Sequence, residues 1–227
     1  MTLLYALKNG FHIPLLFPFF YFATGDSFLS TIITLKLFPL NYYYWFEDQY
    51  NHLPRGYNWI KQTIRFTDTG HIVSFMAWLN PQYLPVAFTT HFVITFGYWF
   101  GKLYFGMNDC DDRTIPDLEP VFEMIWTSAN HGLPLLLFSN KIIISQEPVP
   151  FTFVELQNSY AWLHTWFLCA YIPWRLFTGD IVYNVLDYRR NTTKTLWFVG
   201  YIHFLIFMGH MFGFAISNIN NINTIHT

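Results

Sequence analysis

Residues able to do chemistry cluster in the stretch 123–134, where Glu123, Thr127, Asn130 and His131 interrupt an otherwise apolar run. At about 100° per residue, a helix gathers these four side chains into one sector of roughly 100°. A second set, Thr63, Thr67 and His71, recurs at i, i+4 and i+8 with Ser74 close by. That spacing predicts another helix, over 59–79, with a polar stripe of its own. Facing stripes of hydroxyls, imidazoles and an amide are suited to nucleophilic acyl chemistry: a hydroxyl loses its proton to an imidazole that a third group holds in place. By residue type alone, Thr63 could serve as such a hydroxyl and His131 as its base. Glu123 or Asn130 orients the base, Asn130 and Thr67 donate to an oxyanion, and His71 is the next candidate base.

Composition says what kind of helices must carry these stripes. Of 227 residues, 53% are hydrophobic and 11% charged. An average soluble domain is about 25% charged, and a single domain in water cannot bury this much apolar surface. The expectation is an all-α, polytopic transmembrane helix bundle, with residues 1–227 forming one integral membrane domain. Polar groups on such helices must then meet partners inside the protein. The net charge of −2, with no basic stripe, excludes nucleic acid as a partner. Cys110 lies in an acidic loop and Cys169 in an apolar run, which argues against a disulfide or zinc framework, so no metal is expected. The 22% aromatic content suits interfacial belts around a bundle.

About six spans are predicted, near 28–46, 59–79, 83–107, 120–138, 153–177 and 196–216, with 11–23 an interfacial segment or an extra span. Neither a cleavable signal nor an Arg-rich transit peptide is read at the amino terminus. Gly97 with Gly101 and Gly209 with Gly213 have the small-x-x-x-small spacing that brings helices together. The loop 108–119 is acidic, but it lacks the glycine and ligand order of an EF-hand and reads as solvated.

Several motifs carry a family resemblance. Trp59 is followed four positions later by Thr63, Asn130-His131 stand in the first half of the fourth span with Pro134 after them, and Thr178-Gly179-x-x-Val182-Tyr183-x-x-Leu186-Asp187 follows the fifth. In type and order these resemble the androgen-induced / androgen-dependent TFPI-regulating family of multi-span membrane proteins, which includes fungal members. The resemblance implies an intramembrane threonine hydrolase of fatty acid esters of hydroxy fatty acids, with membrane lipids as surroundings, no cofactor, and a place in the endoplasmic reticulum. It puts Thr63 at the nucleophile. The family's base follows the Asn-His pair by three residues, where this chain has Pro134, so either His131 takes that role or the site is not catalytic.

Two other functions stay open on the residues alone. A catalytically inactive structural or accessory membrane subunit would explain the missing base and the paired glycines. A haem b protein would use imidazoles from two facing spans, and His71, His91, His131, His164, His203 and His210 are the candidates. For orientation, Arg55, Arg113, Arg189, Arg190 and Lys194 share one side of a six-span plan, which the positive-inside rule places in the cytosol.

Overall fold

A computed structural model describes residues 13–46, 57–107, 120–145 and 147–219, together with Leu3 and Leu7. Most of the described residues are helical, and no strand occurs among them. The chain opens with a hairpin of α1 (Leu16–Thr24) and α2 (Ser27–Phe46). Gly25 turns it at φ +67°, the left-handed region that glycine enters without a Cβ penalty. Asp26 starts α2 by accepting the Leu29 N–H at 2.8 Å, and it also accepts the indole N–H of Trp78 at 3.3 Å, which ties the hairpin to the rest.

The single helix predicted over 59–79 is two helices, α3 (Tyr57–Ile64) and α4 (Phe66–Leu79). Arg65 between them is extended, with ψ 142°. The backbone groups freed by this break are satisfied from far along the chain. Trp166 donates its indole N–H to the Ile64 carbonyl at 2.6 Å, and the Tyr183 hydroxyl accepts the Phe66 N–H at 3.0 Å. Local helix propensity lost to these tertiary hydrogen bonds and to an ion pair, Lys61 Nζ to Asp180 Oδ2 at 2.9 Å, that buries the lysine.

Helix α5 (Leu84–Phe105) is the centre of the bundle and packs against α4, α6 (Pro120–Ile143), α7 (Phe153–Trp166) and α9 (Thr192–Ser217). Its closest partner is α9. There Gly97 lies against Ile202 and Gly209 against Phe92, so these glycines serve a contact inside the chain. Pro134 does not end α6, which runs nine residues beyond it. The predicted fifth span is also interrupted: a π-helical turn at Phe167–Tyr171 separates α7 from the short α8 (Ile172–Thr178). A capping box starts α7, with Thr152 accepting the Val154 N–H and Glu155 accepting the Thr152 N–H.

Two apolar cores flank α5. One joins Phe28, Val73, Ala77, Phe88, Phe138 and Ile142; the other joins Val93, Leu163, Trp166, Trp174, Val182 and Ile206. Helix α4 is inverted relative to a helix in water. It buries Thr67, Asp68, His71 and Ser74 and exposes Ile72, Phe75 and Leu79. One described helix, α9, is long and apolar enough to cross a membrane, and 33% of its apolar window is buried.

Candidate functional site

The break at Arg65 decides which hydroxyl meets the imidazole. Thr63, placed at the nucleophile by the family resemblance, is exposed at the end of α3 and donates to the carbonyl of Ile60 at 2.8 Å. It takes no part in the polar cluster. Thr67, in the first turn of α4, is buried and donates to Nε2 of His131 at 3.3 Å. Of the two threonines, Thr67 is the one that meets His131. A continuous helix would have kept both threonines on one stripe, but the extended residue between them turns Thr63 out and Thr67 in.

His131 is held in the tautomer a base requires. Its Nδ1–H donates to the Thr127 carbonyl one turn back at 2.8 Å, which leaves the lone pair of Nε2 facing Thr67. The orienting group is thus a backbone carbonyl of α6. The described side chains of α6 begin at Thr127, so the expectation for Glu123 lies outside them. The ring of Tyr98 stacks on the imidazole, with centroids 3.6 Å apart and planes 17° from parallel. Thr95 donates to the carbonyl of His131 at 2.5 Å. Three residues on, Pro134 lacks the N–H that would bond the Asn130 carbonyl. Pro134 therefore shapes the turn that carries His131.

Asn130 is buried beside the base, and its amide oxygen has no hydrogen bond among the described residues. His71, one turn beyond Thr67, stacks instead on His91 with centroids 6.0 Å apart. His91 and Ser74 are hydrogen-bonded at 2.6 Å, a second hydroxyl–imidazole pair that the stripe pattern did not single out. It is sealed, however, with Ser74 and His91 both almost without exposure.

Access separates the two pairs. Thr67 lines a cavity of about 270 Å³ whose walls include Phe66, Tyr98, Leu163, Trp166, Phe198 and Ile202. Its lining is almost wholly apolar, with Tyr183 and Leu186 contributed by the segment after α8. That segment, the Thr178 to Asp187 motif, is structural. Asp180 holds Lys61 and accepts the Trp174 indole N–H, Tyr183 caps α4, and Arg175 pairs with Asp187 at 3.7 Å. Sequence order could not reveal this, because Tyr183 and Phe66 are 117 residues apart.

No group of three or more His, Cys, Asp and Glu able to hold a metal occurs among the described residues. Of the six histidines considered for a haem, His71 stacks on His91 with centroids 6.0 Å apart and His164 meets His203 at 3.4 Å, while His131 contacts Thr67. No protein-family profile, curated protein or solved structure matches this chain.

Proposed function

We propose that this chain is a membrane-embedded hydrolase of lipid esters in which Thr67 is the nucleophile and His131 the base. The observation that carries it is the relay from Thr67 Oγ1 through the His131 imidazole to the Thr127 carbonyl, with Thr67 on the wall of an apolar cavity. An O–H to N separation of 3.3 Å is long for a resting pair, and such bonds tighten when substrate closes the site.

The bilayer reading rests on the inverted helices. Groups that water would solvate are turned inward on α4, while Phe204, Phe207, Phe212 and Phe214 on α9, Leu103 and Tyr104 on α5 and Leu136 on α6 face out. Helices α2, α5, α6 and α9 have 20, 22, 24 and 26 residues, enough to span about 30 Å at about 1.5 Å per residue. The buried Thr89, Thr90 and His91 dilute the hydropathy of α5 without touching its outer face. With α3–α4 and α7–α8 as broken spans, the plan has about six crossings. The family resemblance adds the endoplasmic reticulum as the compartment.

In the reaction, the Thr67 hydroxyl attacks the ester carbonyl carbon and its proton passes to Nε2 of His131. The oxyanion forms at the amino end of α4, where first-turn N–H groups have no intrahelical acceptor and the helix dipole is positive. As the carbon–oxygen bond to the alcohol breaks, His131 returns the proton to the leaving oxygen. Water then attacks the acyl-threonine, gives its proton to His131, and the acid is released as Thr67 is reprotonated. The acyl chain occupies the apolar cavity. Labelling of the purified protein by a fluorophosphonate, compared between Thr67→Ala and Thr63→Ala, tests this assignment directly.

A further inference from the structure

A second imidazole pair lies between α7 and α9, on the same cavity that Thr67 lines. His164 donates Nδ1–H to the Tyr160 carbonyl at 2.8 Å, and His203 donates Nδ1–H to the Val199 carbonyl at 2.8 Å. A carbonyl oxygen can only accept, so each ring carries its proton on Nδ1. A neutral imidazole with Nδ1 protonated has a bare lone pair on Nε2. The two Nε2 atoms nevertheless face each other at 3.4 Å. Two lone pairs at that distance repel unless a proton or a metal ion sits between them.

We propose that His164 and His203 form a binding site for a first-row divalent transition metal ion of the zinc or copper class. Two imidazole nitrogens bound at about 2.0–2.1 Å to one tetrahedral ion lie about 3.3 Å apart, which matches the separation found here. Backbone carbonyls that fix Nδ1–H and aim Nε2 are the usual outer support of a metal-ligating histidine. Tyr160 supports the site further by donating its hydroxyl to the His203 carbonyl at 3.0 Å. Imidazole nitrogen favours zinc and copper over the hard cations magnesium and calcium. Both rings line the apolar cavity, and His164 is exposed, so an ion can reach the pair from outside the fold.

The test is titration of Zn²⁺ into the purified full-length chain in detergent, with any affinity tag removed, followed by calorimetry and by competition against a chromophoric chelator. One equivalent is expected to bind. His164→Gln and His203→Gln are each expected to lower the affinity by about tenfold or more, because each removes a ligand. Replacing Zn²⁺ by Co²⁺ is expected to give visible absorption bands that either substitution removes. His210→Gln, one turn pair along α9 from His203, is the control and is expected to bind normally. Absence of saturable Zn²⁺ binding by the wild-type protein, or wild-type affinity in both ligand variants, would overturn the proposal. Neither result bears on fluorophosphonate labelling at Thr67, so the two readings fail separately.

Discussion

Replacing Thr67 by alanine removes one hydroxyl and one methyl from the first turn of α4. The structural loss is small. One hydrogen bond, to His131 at 3.3 Å, contributes about 0.5–1.5 kcal/mol, and leaving the buried Nε2 without a donor costs about 1–3 kcal/mol at most. A domain stable by about 5–15 kcal/mol keeps its fold after such a change. The chemical loss is total for any route through an acyl-threonine, and a fall of at least about a thousandfold in turnover corresponds to about 4 kcal/mol of transition-state stabilisation. The assay is fluorophosphonate labelling alongside hydrolysis of a long-chain ester in detergent micelles, with thermal unfolding measured on each variant. Thr67→Ala should unfold within a few degrees of the wild type and show neither labelling nor turnover. Thr67→Ser should restore both, since serine keeps the attacking oxygen. Thr63→Ala should behave as wild type, because Thr63 is exposed and bonded to its own helix. Full labelling of Thr67→Ala, or its loss in Thr63→Ala, would refute the assignment.

His131→Gln keeps a polar side chain on α6 but no proton acceptor of suitable basicity, and turnover should fall by about 10²–10⁴-fold at unchanged expression; near-normal kcat would remove His131 as base. Tyr183→Phe deletes the hydroxyl that accepts the Phe66 N–H, so melting should show a loss of about 1 kcal/mol and ester hydrolysis should weaken as Thr67 shifts. If stability falls and turnover does not, the break at Arg65 does not position the nucleophile. Asn191 opens an Asn-Thr-Thr glycosylation acceptor, but its side chain already caps α9 by accepting the Lys194 N–H at 2.9 Å, next to Arg189 and Arg190. On the positive-inside orientation this segment is cytosolic, and the expected mass is that of the unmodified chain; a glycosidase-sensitive shift absent in Asn191→Gln would place it in the lumen.

Composition and helical periodicity determined that the chain is all-helical and roughly where its helices lie, because apolar run length and proline or glycine punctuation are local signals. The starts of α2, α5 and α7 were legible to within a residue. So were the candidate chemical types: His131, Asn130 and Thr67 were all visible on stripes. Periodicity presumes an unbroken helix, however, and that presumption failed at Arg65 and again at the π turn 167–171. The first failure exchanged Thr63 for Thr67. It arose because Trp166, Tyr183 and Asp180 offered the α3–α4 backbone and Lys61 better partners than helix continuation did, across separations of about a hundred residues or more. Likewise, the spacing of His164 and His203 said nothing of their meeting, since facing imidazoles on antiparallel helices are a property of packing. Tertiary structure alone decided which hydroxyl faces which imidazole, because hydrogen bonds depend on ångström-scale placement and helical spacing fixes only a direction.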